Sequence, residues 1–291
     1  MQEASGIGMV AANALTRKLV HAVAGLCAAL LLTACLQAPP PTSRSFLDLE
    51  QSFPGNPKAQ ALAVAAEHGD TREVRRLMKE EGVDPDTVFS PEGLPLLAWP
   101  ILTGNPAGLK AMLENGADPN AAELHPLQHT TRFKGRIRNN AMVWAAKADD
   151  PIYLRLLLDH GGDPDTRNSN GETLLLQARL MGNQWENVKL LVERGADVNA
   201  KSQSMAFVDE YAGLGGFMHT HWLLEHGARP EQYTIESIFW HPGDSKNPEW
   251  QRRCQQWLLQ RGYQRPPMPD SYRRMREAFG FPTDEKDIPL L

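Results

Sequence analysis

The sequence predicts an all-α protein, a solenoid of about six stacked helix pairs, and three observations carry that reading. The first is a recurring phrase in which an apolar helical stretch ends at a glycine-centred turn: LMKEEGVDPD, MLENGADPNA, LLDHGGDPDT, LVERGADVNA, LLEHGARPEQ and LLQRGYQRPP. The second is the period. The turn glycines Gly82, Gly116, Gly161, Gly195, Gly227 and Gly262 lie 34, 45, 34, 32 and 35 residues apart, and self-similarity near this length marks units that stack. The third is patterning within a copy: Leu174, Leu175, Ala178, Val188, Leu191 and Val192 recur at helical spacing. A single such unit cannot bury its apolar faces, so neighbours must cover them. With 291 residues, 42% hydrophobic and 22% charged, the chain has apolar matter for one or two packed domains.

Taken in order, the first 34 residues read as a signal segment. Arg17 and Lys18 precede an uncharged stretch from Ala22 to Leu32, which is shorter than the roughly 20 residues of a membrane-spanning helix. A charged start, a short apolar core and small residues at its end describe a secretory signal peptide. Translation from Met1 or from Met9 would leave the same signal. Leu32-Thr33-Ala34-Cys35 resembles the bacterial lipobox, and the resemblance implies cleavage before Cys35 and a lipid on its thiol. An acylated cysteine would hold the chain on a membrane, each buried methylene contributing about 0.8 kcal/mol. Leu36 stands where an aspartate favours inner-membrane retention, so the resemblance implies the outer membrane, facing the periplasm. Residues 35–57, containing APPPTS, read as a stiff polar tether. Removal of Cys27 with the signal and lipidation of Cys35 would leave Cys254 as a buried free thiol.

Residues 58–266 hold the repeats. The best copy, NGETLLLQARLMGNQWENVKLLVERGADVNA from Asn170 to Ala200, runs turn, short helix, glycine, longer helix and loop. In this it resembles the ankyrin repeat. The family's Thr-Pro-Leu-His turn is degraded: Leu94 to Leu97 reads LPLL and Thr173 to Leu176 reads TLLL. The first copy, near Ala59, lacks a leading hairpin and is expected to cap the stack. Residues 267–291 offer one more helix, with Tyr272, Met275 and Phe279 as its expected apolar side.

The spacing of 45 places an insertion at residues 123–140, ELHPLQHTTRFKGRIRNN. Arg132, Lys134, Arg136 and Arg138 alternate with Phe133, Gly135 and Ile137, a period of two that puts four cations on one face of a strand. In a chain of formal net charge −5, this reads as a local basic hairpin suited to an acidic partner surface. The resemblance implies that hairpin tips and the ends of first helices line the binding groove. Carried over position by position, it places Glu67, His68, Leu102, Thr103, Lys147, Leu180, Met181 and Leu214 there as candidate partner contacts. Leu180 and Met181 would form an apolar anchor with a polar rim. Trp99 and Trp144 read as stacked core.

The sequence shows little that resembles chemistry. It has no His-Glu-x-x-His, no Gly-x-Ser-x-Gly and no phosphate-binding glycine loop followed by lysine. His125 and His129 flank Pro126 in a loop with no third ligand nearby, and His219, His221 and His241 stand without a nucleophile. The glycine-rich YAGLGGF, Tyr211 to Phe217, falls on the turn between two paired helices. Negative charge argues against general nucleic-acid binding. The expectation is a non-enzymatic binding module without cofactor or metal, anchored through Cys35 and recognising another protein. Ankyrin lipoproteins of this address resemble immunity proteins that neutralise lipase effectors of type VI secretion, which implies a toxic phospholipase effector as partner. The alternative is a periplasmic scaffold supporting an envelope or stress-response enzyme.

Overall fold

The computed structural model describes residues 48–122, 139–242 and 248–291. Cys35 with the signal and most of the tether, the basic residues Arg132, Phe133, Lys134, Arg136 and Arg138, and the pair His125 and His129 lie outside the described residues.

The described residues form one unit from Leu49 to Leu291. Six helix pairs follow a short leading helix, α1, Leu49–Ser52. They are α2 Pro57–His68 with α3 Thr71–Lys79, α4 Trp99–Leu102 with α5 Pro106–Glu114, and α6 Ala141–Lys147 with α7 Ile152–Asp159. Then come α8 Leu174–Leu180 with α9 Trp185–Glu193, α10 Asp209–Ala212 with α11 Phe217–Glu225, and α12 Gln232–Trp240 with α13 Glu249–Gln260. A last helix, α14, spans Asp270–Ala278. Among the described residues, extended pairing is limited to the bridges Phe89 with Pro95, Arg167 with Thr173 and Ser202 with Met205. Those bridges mark the remnants of repeat hairpins.

Local chemistry sets the helix starts. Asn56, Asp70, Asn105, Asn140 and Thr173 each accept a hydrogen bond from an amide in the first turn of the following helix, satisfying donors the helix leaves open. Pro57 and Pro106 follow two of these caps, where their fixed φ suits a first helical residue.

Two asparagines bond from one repeat to the one before it. Asn105 donates from Nδ2 to the Glu67 carbonyl at 2.9 Å, at the end of α2. Asn187 in α9 donates from Nδ2 to the carbonyls of Ala146 at 3.1 Å and Ala148 at 2.8 Å, with a longer approach to Ala145 at 3.4 Å. The second helix of one repeat thereby closes the open C-terminus of the first helix of the preceding repeat.

The loop motif has an equally plain physical account. In the first four copies the aspartate after the glycine turn accepts the amide two residues on: Asp84 from Asp86, Asp118 from Asn120, Asp163 from Asp165 and Asp197 from Asn199. The residue two positions on then reaches the next repeat. Asp86 accepts the Asp118 amide at 2.9 Å, Asn120 the Asp163 amide at 2.7 Å, Asp165 the Asp197 amide at 2.7 Å and Asn199 the Arg229 amide at 2.8 Å. This polar ladder fixes the stacking register on one edge. Burial holds the Asp86 carboxyl above the usual range, with the Asp118 amide pulling the other way.

At Gly108 α5 lies close against α2. Gly108 is buried in α5, and a Cβ built there would stand 1.8 Å from the Ala66 backbone oxygen. Around it Leu62, Ala63, Ala66, Leu109 and Met112 are fully covered.

Four boundaries and faces differ from the sequence expectation. The packed unit starts at Leu49 rather than residue 58, because Phe53 is 2% exposed and sits edge-on to Trp99 at 5.7 Å. The insertion ends before residue 140: Asn140 caps α6, and Asn139 accepts the Ser169 amide at 2.9 Å. Trp99 is core at 1% exposed, but Trp144 is only half-buried, with Lys147 Nζ 5.7 Å from its ring centroid. On α14 the expected apolar side fails at Phe279, which is 72% exposed. The packed residues are Tyr272, paired with Ser237 at 2.6 Å, and Arg276, which donates to the Trp240 carbonyl at 3.1 Å. The Trp240 carbonyl at the end of α12 and the Pro282 carbonyl beyond α14 occupy this arginine where periodicity alone would call for a hydrophobe.

Cys254 is fully buried on α13, its Sγ donating to the Phe217 carbonyl at 3.4 Å, and burial pushes its thiol far above the ordinary range. The flanking Trp250 and Trp257 are half-buried. A buried protonated thiol is inert, so a thiol-reactive dye should leave Cys254 unlabelled in native buffer and modify it fully in denaturant. Native labelling at the rate of an unfolded thiol would contradict this packing.

Candidate functional site

The helix ends that the repeat geometry singles out divide into two groups. In the first three repeats they are tied down. Glu67 accepts from Trp99 Nε1 at 3.1 Å, His68 bonds through Nδ1 to the Val64 carbonyl at 2.9 Å, and Thr103 donates to the Trp99 carbonyl at 3.0 Å. Leu102 is half-buried. Lys147 is half-buried as well, and desolvation lowers its ammonium pKa although Glu172 favours the charge.

In repeats four and five the same positions are open and apolar. Leu180 and Met181 are each 54% exposed, Leu214 is 70% exposed, and Met218 at the start of α11 is 45% exposed. Two features bring the two turns together. The turn after α8 passes through Asn183 at φ 59, a conformation that asparagine tolerates better than most residues. Tyr211 of α10 then donates its hydroxyl to Asn183 Oδ1 at 2.7 Å. The preceding turn is joined too, since Gln184 Nε2 donates to Asp149 at 2.6 Å.

The junction beneath these turns is filled by rings. None of the closest helix pairs in the fold crosses from repeat four to repeat five, and large side chains occupy the space. Trp185 meets Tyr211 edge-on at 5.5 Å, His219 at 4.4 Å and Trp222 at 5.3 Å. His219 stacks on Tyr211 at 4.8 Å and 22°. Burial, reinforced by the nearby Arg179 charge, lowers the His219 pKa and keeps its imidazole neutral at pH 7. Burial drives the Tyr211 phenol up, against the opposing pull of Arg179.

Arg179 completes the arrangement, its guanidinium carbon 5.3 Å from the Tyr211 ring centroid. Sequence reading passes over Arg179 and Tyr211, since they meet only after folding and no motif links them. Their sole sequence signal is that each stands at the end of a short helix in consecutive copies.

Reactive chemistry has no comparable concentration. Among the described residues no group of three or more His, Cys, Asp or Glu could hold a metal ion, and no helix is long and apolar enough to cross a membrane. A shallow groove of about 430 Å³ runs between Phe53, Pro54 and Asn56 on one side and Thr87 to Pro91 on the other. Its Ser90 hydroxyl, 5% exposed, donates to the Glu92 carboxylate at 3.1 Å and accepts the Glu92 and Leu94 amides, bonds that close the local turn.

Comparison with known proteins agrees with this architecture. The sequence pattern of the family described as Ankyrin repeats (3 copies) matches residues 125–202. Among solved structures, the ankyrin repeat domain of Bcl-3, a member of the IkappaB protein family, superposes with a TM-score of 0.53 at 24% identity, covering 70% of this chain and 86% of that one. The fold is an ankyrin-repeat solenoid. A further ankyrin-repeat structure, EF0377, gives 0.49 at 24% identity over 71% of this chain and 98% of its own. Protein PhlB of Serratia liquefaciens is 34% identical over 138 residues, 47% of this chain and 54% of PhlB. The chain thus spans about half the length of the curated relative it matches. Ankyrin repeats are a protein-interaction fold.

Proposed function

We propose that this ankyrin solenoid is a non-enzymatic module that docks on a partner protein through the turn edge of repeats four and five. The observation that carries this is the run of exposed Leu180, Met181 and Leu214 on adjacent, mutually braced turns. Covering the part of each side chain still exposed gains roughly 1–2 kcal/mol, and a rigid scaffold means little ordering cost on binding.

The partner class follows from the address written in the sequence. Leu32 to Cys35 supports a lipid anchor on Cys35 in the periplasm, at the outer membrane, and a tethered inhibitor there stands on the surface a secreted lipase attacks. The module neutralises a lipase-type antibacterial effector, either by covering its active site or by blocking its approach to lipid. The basic residues Arg132, Lys134, Arg136 and Arg138 steer encounter with an acidic effector surface.

The test is co-expression of secreted lipase effectors with the chain in the periplasm. Growth should be protected by the wild type and lost with the pair Leu180→Glu and Leu214→Glu, whose unfolding midpoint should stay unchanged because both sites are exposed. Protection that survives both substitutions would move the contact elsewhere. Recovery of a resident envelope enzyme that remains active in the complex would replace the inhibitor with a scaffold.

A further inference from the structure

We infer that Arg179 is the charged anchor of this turn edge, and that the partner segment it receives carries an Asp or Glu side chain between apolar residues. The inference rests on the protein-binding reading above and names the chemistry of what is bound.

The guanidinium is held in place before any partner arrives. It lies over Tyr211, a ring 4% exposed that cannot swing away, since His219 stacks on it, Trp185 abuts it and its hydroxyl is bonded to Asn183. Arg179 Nε is buried and finds no acceptor. No carboxylate among the described residues forms an ion pair with this arginine, whereas Arg76, Arg194, Arg252 and Arg253 each pair with one within 3 Å. The guanidinium's planar fork matches a carboxylate with two parallel bonds, and its place 5.3 Å from the Tyr211 ring centroid gives it a fixed neighbour on one side.

The surroundings select a single acidic side chain rather than an extended anionic surface. Leu180 and Met181 follow the arginine in the chain, Leu214 stands three residues after Tyr211, and all three are exposed. Asp149 is held beside the same turn by Gln184, and the Glu186 side chain, paired with Lys189 at 2.7 Å, is 67% exposed at the start of α9. A sheet of phosphate headgroups would meet those carboxylates; one Asp or Glu between hydrophobic residues would not. Covering by apolar neighbours also removes water from the pair, which strengthens it.

The experiment is selection of a displayed random peptide library on the folded chain, with wild type, Arg179→Met, Arg179→Lys and the pair Leu180→Glu with Leu214→Glu as targets. Peptides enriched on wild type should share one Asp or Glu between apolar residues. They should bind Arg179→Met on the order of tenfold or more weakly, since charge-assisted bonds are worth about 1.5–3 kcal/mol. Changing the peptide acid to its amide should weaken binding to wild type and leave the already weakened binding to Arg179→Met unmoved. Enriched peptides without an acid, or with equal affinity for Arg179→Met, would overturn the inference and leave the docking surface standing. Peptides that ignore the Leu180→Glu and Leu214→Glu pair, or no enrichment on wild type, would overturn the surface itself. Should Arg179→Met fail to fold, the acid-to-amide peptide series on wild type and on Arg179→Lys decides the matter.

Discussion

Gly108→Ala is expected to destabilise the protein by about 3 kcal/mol or more, although it replaces a poor helix former by the best one. Helix propensity favours alanine over glycine by about 1 kcal/mol inside a helix. Against that stands a Cβ 1.8 Å from the Ala66 backbone oxygen. Backbone cannot rotate away as a side chain can, so α5 would have to separate from α2, exposing Leu62, Leu109 and Met112. Overpacking of this kind costs about 1–3 kcal/mol and occasionally more, and the rigidity of the clashing atom puts this site at the upper end. Urea denaturation followed by circular dichroism measures it. A lowered midpoint is predicted, and a midpoint equal to or above wild type would show that the two helices do not approach so closely.

Asn187→Ala should cost about 2 kcal/mol for a different reason. Nothing clashes; instead the carbonyls of Ala146 and Ala148 lose their donor inside a packed junction, and leaving buried acceptors unmet costs about 1–3 kcal/mol. Asn187→Asp should be worse at neutral pH, because a carboxylate would face the carbonyl end of α6, where a helix repels negative charge. Such a carboxyl would hold its proton more tightly folded than unfolded. The sign follows: the aspartate variant should regain stability as pH falls below the folded-state value and lose it as pH rises through that value. Midpoints measured across pH 4 to pH 7 would show the effect. Equal midpoints for wild type and Asn187→Ala would mean the carbonyls are satisfied by other means.

The parts of the fold that were legible in the sequence are those whose chemistry is local and repeated. The glycine turns announce themselves because Gly116, Gly161, Gly195, Gly227 and Gly262 all take positive φ, which other residues resist. The aspartate loops recur because one residue bends its own loop and the residue two positions on reaches the next copy. The ankyrin resemblance points to Leu180, Met181 and Leu214, and all three side chains are exposed. What stayed hidden depends on contacts across long separations. Asn187 reads as an unremarkable helix residue, and its role appears only when the end of α6, some forty residues earlier, lies against it. Phe279 fits the helical period yet projects into solvent, while Arg276 on the same helix is buried by carbonyl partners that periodicity cannot register. Arg179 and Tyr211 belong to a junction where the helix backbones stand apart and rings fill the space, so the repeat pattern is weakest there. Glu67, selected by the same register as Leu180, turns its carboxylate inward to Trp99. Register identifies an edge of the solenoid; side-chain bonding decides which residues on that edge remain available.

The measurement that bears most directly on the proposed function is affinity capture by the full chain expressed in its source cells, run in parallel with the Leu180→Glu and Leu214→Glu pair and read by mass spectrometry with an assay of lipase activity. The account predicts a lipase-type effector recovered in stoichiometric amount with wild type, silenced in the complex and absent from the variant. An effector captured equally by both chains, or recovered with its activity intact, would contradict it.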